Sequence, residues 1–285
     1  MKPNIRERLQ ANELVAAEDK EAVYKFLDIA QQVEFGKISS RQEGYIFKEL
    51  KLPRCTSVLQ MDGGKAGALM EWAKRQVSNR IEKLLLEELK KGGKLNENLI
   101  ANICLEGLVD PDKQRDEAAE VGTGVHDIIE NWLTGYFDGK LDNAPEPLLR
   151  FISAWNASGY TVIGTEIPIV WYDEAGKGFG GRLDILAYKD GRFYIGDNKT
   201  SRSVHESYGL QISAYKKAVE QMSKGAIKID GGSIFHIPTL ETLNDRQKKE
   251  YDKRGSLIQL KDLDNAFEHY RLLLELYYRR NSKYF

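Results

Sequence analysis

The sequence predicts an α/β or α+β fold with a mixed central sheet flanked by helices. Up to residue 157, Ala, Glu, Lys and Leu are frequent and apolar residues recur at helical spacing. After Gly159, three consecutive runs are rich in β-branched and aromatic residues, which predicts strands. The remaining segments predict a helix, a strand and a final helix. This order is typical of a mixed sheet packed against helices.

The first part of the chain is predicted to be mainly helical. Residues 1 to about 35 favour one or two helices, and residues 45–59 favour a short strand and a turn because Pro53 interrupts the pattern. Helices are predicted over residues 66–89 and 97–107, separated by the breaker Gly92-Gly93. We expect another helix to begin at Asp110-Pro111-Asp112 and run to about residue 133, and one more over residues 146–157.

The second part of the chain supplies the sheet. Strands are predicted over residues 161–173, 178–190 and 191–200, with Gly and Asp at their junctions. A helix over about residues 208–222, a strand over 231–237 and a helix over about 263–280 complete the chain. We expect a boundary between a helical region, residues 1–110, and a sheet-containing region, residues 111–285.

Composition narrows the class of protein. The chain has 285 residues, 41% of them hydrophobic and 30% charged, which excludes a disordered chain and an integral membrane protein. Its 42 basic and 43 acidic residues nearly cancel, so a polyanion would have to be bound by local patches. Cys55 and Cys104 form no CxxC pair, so we expect no disulfide framework or cysteine-bound metal, and a reducing, cytoplasmic location. The charged N-terminal segment leads us to expect no secretory signal and no membrane partner.

A tight hairpin is predicted at Asp190-Gly191, a dipeptide that favours a type I′ turn between strands. Counting outward from this turn places Asp184 opposite Asp197, with Cβ atoms about 5 Å apart. Lys199 follows two positions after Asp197 and therefore lies on the same face.

The predicted face is apolar except at this end. By the same count, Arg182 stands opposite Lys199, and the rest of the face consists of Leu186, Tyr188, Phe193 and Ile195. Two adjacent carboxylates repel, so one takes up a proton or a cation sits between them, and oxygen ligands suit Mg²⁺. Water bound to such an ion, beside a lysine, would be a nucleophile toward phosphorus. The alternative is that these acids are surface residues in salt bridges with Arg182 and Lys199.

Several motifs resemble those of one enzyme superfamily. GRLD (181–184) and GDNKT (196–200) resemble the PD-(D/E)xK nuclease signature, although the proline is replaced by Leu183. The helical segment around His126 is similar to the histidine motif of the RecB-like exonuclease branch, and the helix with Gln211 and Tyr215 is similar to its QxxxY motif.

An N-terminal segment extends the resemblance. LPRCTSVLQ (52–60), followed by GALMEWAKR (67–75), is similar to the corresponding part of phage-type members and of mitochondrial genome maintenance exonucleases. The similarity covers roughly residues 45–222. It implies a restriction-endonuclease-like core in residues 111–285, with residues 1–110 as a helical, substrate-binding elaboration.

The resemblance also implies roles for individual residues. Asp184, Asp197 and the backbone carbonyl of Asn198 would ligate Mg²⁺ or Mn²⁺, and His126 would be an additional ligand. Lys199 would polarise or deprotonate the attacking water.

Supporting roles follow from the same resemblance. Gln211 and Tyr215 would contact nucleic acid or support the catalytic strand, and Glu166 would be a ligand or the partner of Arg182. Spacing alone suggests that Glu130, one turn after His126, orients the imidazole, or that the two form an ordinary polar pair on a solvated face. Basic residues around Trp72 would bind the substrate.

The implied activity is that of a metal-dependent DNA exonuclease that acts on free ends or single strands. The resemblance further implies a phage-encoded protein with an annealing or helicase partner. Two isolated cysteines exclude the iron–sulfur cluster of some relatives, and the glycine-containing segments lack nucleotide-binding spacing, so we expect no ATP requirement. Two alternatives remain: a structure-selective endonuclease or junction resolvase on the same core, and a catalytically inactive nucleic-acid-binding recombination partner.

Overall fold

The computed structural model of the chain describes residues 5–92, 96–239, 243 and 256–282, without the side chains of residues 63–73, 75, 76 and 107–121. It contains two compact units: Met1–Met61 together with Val125–Phe285, and Asp62–Gly124. This division differs from the boundary expected at residue 110. The reason is that apolar side chains of the first sixty residues, such as Phe26 and Leu52, are buried in the same core as the sheet.

The second unit is built from two helices. Helix α4 covers Gly63–Lys90, and α5 covers Glu97–Leu133, of which the part from Val125 onward belongs to the first unit. The predicted break at Asp110-Pro111-Asp112 is wrong, because α5 runs through it. A proline inside a helix removes one backbone hydrogen bond and costs about 3 kcal/mol, which disfavours a continuous helix but does not forbid one.

A five-stranded mixed sheet forms the centre of the first unit, which confirms the predicted fold class. Its strands are β4 (Thr161–Tyr172), β5 (Gly178–Lys189), β6 (Arg192–Lys199), β7 (Ile229–His236) and β8 (Ser256–Leu260), in that spatial order. All neighbours are antiparallel except β6 and β7, which α7 (Glu206–Met222) connects. Sequence reasoning missed β8, a short and partly exposed edge strand.

Helices cover both faces of this sheet. One face packs against α1 (Ile5–Ala11), α2 (Ala17–Ala30), α3 (Cys55–Leu59), α7 and α8 (Leu263–Asn281). The four apolar residues predicted to share a face all belong to this core: Leu186, Tyr188, Phe193 and Ile195. The other face packs against the end of α5 and against α6 (Glu146–Ser158), where Ile129, Phe151 and Phe235 are fully buried.

A second, three-stranded antiparallel sheet lies against β5. It consists of β1 (Val33–Lys37), β2 (Glu43–Phe47) and β3 (Leu50–Pro53). A bridge between Arg54 and Gly180 joins it to β5, and a Cβ atom at Gly180 would lie only 2.3 Å from the Tyr45 side chain. Glycine at this position therefore permits the close approach of the two sheets. Within the described residues, no helix is both long and apolar enough to cross a membrane.

Candidate active site

The β5–β6 hairpin has the predicted turn and register. Asp190 and Gly191 have φ values of 49° and 75°, as a type I′ turn requires. Pairing continues from Lys189 opposite Arg192 to Ile185 opposite Gly196. Asp184 and Asp197 follow one position beyond this last pair.

The two aspartates do not simply extend the apolar face. Leu183 and Leu186 belong to one core and Ile185 to the other, so strict alternation of side chains breaks at Asp184. The expectation that Asp184 continues the face of Leu186 therefore needs correction: a local irregularity in the strand, not the pleat alone, directs its side chain. Asp184 Oδ2 accepts a hydrogen bond from the backbone N–H of Asn198 at 2.9 Å, which keeps it beside the end of β6.

Three elements bring possible metal ligands together. His126 of α5, Glu166 of β4 and Asp184 of β5 each offer a ligand atom, and these atoms lie within 4.8 Å of one another. His126 Nδ1 is 3.6 Å from Asp184 Oδ2. Asp197 is not in this group, whereas Glu166, for which the resemblance implied a role as ligand or as partner of Arg182, is in it.

Glu166 occupies an unusual backbone position. It stands opposite Asp184, between pairs formed by the flanking residues of β4 and β5, and its φ of 52° is left-handed. This conformation costs a residue with a side chain roughly 1–2 kcal/mol, and such strain is concentrated at functional sites. Burial, reinforced by the Asp184 carboxylate, raises the pKa of Glu166 to about 7 despite the opposing effects of His126 and Arg182. Arg182 Nη1 lies 3.6 Å from its carboxylate.

Asp197 and Lys199 form a buried ion pair next to the cluster. Asp197 is 1% exposed, and its Oδ2 lies 2.6 Å from Lys199 Nζ, whereas Oδ1 has no hydrogen-bond partner among the described residues. Burial raises the pKa of Asp197 to about 6, with Asp184 contributing and Lys199 opposing. An unsatisfied buried carboxylate oxygen is costly, so Oδ1 is suited to a further cationic partner.

The Lys199 ammonium is held from three sides. Besides Asp197, it donates to Gln211 Oε1 at 3.3 Å and lies 4.9 Å from the centre of the Tyr208 ring. Burial lowers the pKa of Lys199, but the carboxylates of Asp197 and Asp184 outweigh it and raise that pKa above its usual value. The lysine is therefore a fixed positive charge at neutral pH.

The helix α7 supplies this support through one face. Gln211 Nε2 donates to the buried Tyr215 hydroxyl at 3.1 Å, so the pair supports the lysine from inside the protein. Sequence reasoning missed Tyr208, although its spacing of three residues before Gln211 and seven before Tyr215 places all three on one helix face.

Three further residues were predicted to support the site: Glu130, Asn198 and Trp72. Glu130 is one turn after His126 on α5, and its charge is a minor contribution to the raised pKa of Glu166, but its action on His126 stays a prediction. The Asn198 carbonyl as a ligand also stays a prediction. The side chain of Trp72 lies outside the described residues.

The donor set fits a divalent cation. Carboxylates are the preferred ligands of Mg²⁺ and Mn²⁺, and an added imidazole suits Mn²⁺ better than Mg²⁺. The three converging ligands and the unsatisfied Asp197 oxygen would all gain from a positive charge between them.

Comparison with known proteins identifies the family. No curated protein is similar enough to match the chain. The family model described as the PD-(D/E)XK nuclease superfamily matches residues 82–281, well over half of the 285 residues. The match includes the cluster, the ion pair and the α7 residues that support it. The chain therefore belongs to the PD-(D/E)XK nuclease superfamily, whose members are nucleases that use divalent metal ions.

Proposed function

We propose that this protein is a DNA exonuclease of the RecB-like branch that acts on free ends or single strands with Mg²⁺ or Mn²⁺. The observation that carries the proposal is the convergence of His126, Glu166 and Asp184 within 4.8 Å, next to the buried pair of Asp197 and Lys199. The contribution of a helical histidine to this cluster supports the RecB-like branch, since that branch has a histidine motif.

The metal would be held by Asp184 and Asp197, with His126 and Glu166 as further ligands. A bound divalent ion supplies an activated water and neutralises charge on the scissile phosphate. The backbone keeps two of these donors in place. The Asn198 N–H orients the Asp184 carboxylate, and the left-handed backbone conformation of Glu166 positions its side chain.

Lys199 would stabilise the negative charge that develops on the phosphate. Its ammonium is positioned by Asp197, Gln211 and Tyr208 and needs no rearrangement as the reaction proceeds. Fixed charges in a buried site stabilise a transition state more strongly than mobile charges in water do. Because this lysine is already ion-paired, its role in the proposal is electrostatic.

A comparison of linear and circular DNA tests whether the enzyme needs a free end. An exonuclease needs a terminus, whereas an endonuclease or junction resolvase on the same core does not. We expect linear single-stranded DNA to be degraded in Mn²⁺ while a circular strand of the same sequence stays intact under the same conditions. Cleavage of the circle at a comparable rate would establish the endonuclease instead.

Direction and sugar preference are measured with the same assay. Linear strands blocked at either the 5′ or the 3′ end, followed by gel electrophoresis over time, show from which end products shorten. An RNA strand of the same sequence is the matched control for DNA preference, and we expect slower degradation of RNA. Absence of cleavage of every substrate in Mg²⁺ and Mn²⁺ would favour an inactive nucleic-acid-binding protein.

A further inference from the structure

Two adjoining cavities form one groove on the first unit, and none of the candidate metal ligands lines it. Their volumes are about 550 and 370 Å³, and they share Ser39, Gln42 and Tyr277 among their lining residues. The walls come from the β1–β2 turn, the segment of β3 and α3, and the end of α8. We call this surface the basic groove.

The basic groove concentrates positive charge. Its charged lining residues comprise one carboxylate, Glu43, and six cationic side chains, namely Lys37, Arg41, Lys51, Arg54, Lys177 and Arg279. The chain as a whole carries a net charge of −1, so this is a local excess and does not follow from composition. Such an excess attracts a polyanion.

Most of this charge is not neutralised by the protein. Arg54 pairs with Glu43, and Arg279 pairs with Glu275 outside the groove. The other four cations are exposed and have no carboxylate partner within 4.0 Å among the residues that the structure describes: Lys37, Arg41, Lys51 and Lys177. Cations gathered without counter-charges repel each other, and an anionic ligand would remove that repulsion.

The first cavity also has the neutral groups that phosphates accept hydrogen bonds from. Four hydroxyl side chains line it: Ser39, Ser40, Thr56 and Ser57. Hydroxyl and cationic groups together are the common donors to phosphate oxygens in nucleic-acid complexes, where they position the strand without reading its sequence.

The groove is tied to the metal cluster through β5. Arg54 bridges to Gly180, which precedes Asp184 by four residues on the same strand. Four residues of strand span about 13 Å, a distance that corresponds to a few nucleotides of a DNA strand. The Tyr45 side chain of β2 packs against this part of β5, since a Cβ atom at Gly180 would lie 2.3 Å from it.

We propose that the basic groove binds the phosphodiester backbone of the substrate strand a few nucleotides from the site of cleavage. This inference rests on the proposed function, since the strand it holds is the one that the metal centre would cut. It assigns phosphate binding to particular residues that are neither metal ligands nor the basic residues around Trp72, most of them within residues 1–110.

The test measures binding without cleavage. Fluorescence anisotropy of a labelled oligothymidylate in EDTA, over a range of salt concentrations, compares the parent with Lys37→Gln/Arg41→Gln. Loss of two phosphate contacts should lower the slope of log affinity against log salt by about 1.4, because each contact to a single strand contributes about 0.7. At 0.1 M salt this corresponds to roughly 25-fold weaker binding if the two curves meet near 1 M.

A matched control removes the same charge elsewhere. Lys228 and Lys261 are exposed residues near the β7 and β8 side of the sheet, outside the groove, so Lys228→Gln/Lys261→Gln should leave slope and affinity close to those of the parent. The proposal is wrong if the groove variant binds the oligonucleotide as tightly as the parent does. It is also wrong if the control variant loses as much affinity as the groove variant. Both groove substitutions are at exposed side chains, and thermal unfolding verifies that the fold is kept.

Two further comparisons separate the possible outcomes. Strands with and without a 5′ phosphate distinguish a terminal phosphate from internal phosphodiesters: equal weakening for both supports internal contacts, and weakening only for the phosphorylated strand supports a terminal one. If the parent fails to cleave DNA but the salt slope still falls in the groove variant, the proposed function is wrong and the binding site stands. If the parent cleaves DNA and the groove variant has an unchanged salt slope, the proposed function stands and the proposed binding site is wrong.

Discussion

Glu166 shows what single residues contribute to this site. The hairpin turn and its register as far as Ile185 opposite Gly196 could be predicted from the sequence, because a two-residue turn fixes the pairing locally. The left-handed φ of Glu166 and the break in alternation at Asp184 could not, because such irregularities depend on how both faces of the sheet are packed. Together, these two irregularities bring the Glu166 carboxylate close to His126 and Asp184.

Replacement of Glu166 by Gln should weaken metal binding while leaving the backbone unchanged. The amide keeps the size of the side chain but removes one anionic ligand, and we expect Mn²⁺ affinity to fall about 10- to 100-fold. Isothermal titration calorimetry measures this directly. Glu174→Gln, at an exposed acid in the β4–β5 turn, is the control and should bind as the parent does. Equal affinities for all three proteins would remove Glu166 from the ligand set.

At the scale of secondary-structure elements, local sequence signals predict some helices and strands, whereas others depend on tertiary context. The hairpin, α7 and α6 were predictable because turn dipeptides and helical periodicity are encoded within a few residues. Strands β1 and β8 were not, since both are short, lie at sheet edges and are partly exposed. The uninterrupted α5 was not predictable either, because Asp110-Pro111-Asp112 is a local pattern typical of a helix start, whereas here it lies inside a helix.

The hairpin turn should depend on its glycine. Gly191 has a φ of 75°, so Gly191→Ala should destabilise the protein by about 1–2 kcal/mol. Urea unfolding provides the free energy, with an unchanged slope expected. Gly209→Ala is the matched control: this glycine is helical and has open space around it, so alanine should be neutral or stabilise by up to about 1 kcal/mol. A stable Gly191→Ala variant would be inconsistent with the turn described above.

A side chain at Gly181 should disturb the packing that supports Lys199 and thereby lower activity. A Cβ atom there would lie 2.5 Å from the Tyr215 ring, which supports Gln211 and thereby Lys199. We expect Gly181→Ala to cost about 1–3 kcal/mol of stability and to lower kcat more than it raises KM. Gly36→Ala, where the nearest atom is 3.6 Å away, should leave both kinetic parameters unchanged. Parental kcat in Gly181→Ala would separate this packing from catalysis.

For the whole molecule, the site depends on long-range assembly. His126, Glu166 and Asp184 come from a helix and two strands, and the ion pair from a third strand. Counting residues outward from the hairpin turn predicts only the pairing of two neighbouring strands. The roles of His126 and Glu166 were predicted from the family resemblance instead. The basic groove was not predicted, because its cations come from distant segments that the fold brings together.

The central claim is that the carboxylate of Asp184 is required for metal-dependent hydrolysis. The most direct test compares the rate at which the parent, Asp184→Asn and Asp190→Asn degrade an end-labelled linear single strand in Mn²⁺. Asparagine keeps the size of Asp184 and can still accept the Asn198 hydrogen bond, and Asp190 is an exposed turn residue of the same hairpin.

We predict that Asp184→Asn is slower by at least about 100-fold with unchanged thermal stability and unchanged strand binding in EDTA, and that Asp190→Asn matches the parent. Degradation by Asp184→Asn at the parental rate would contradict the account.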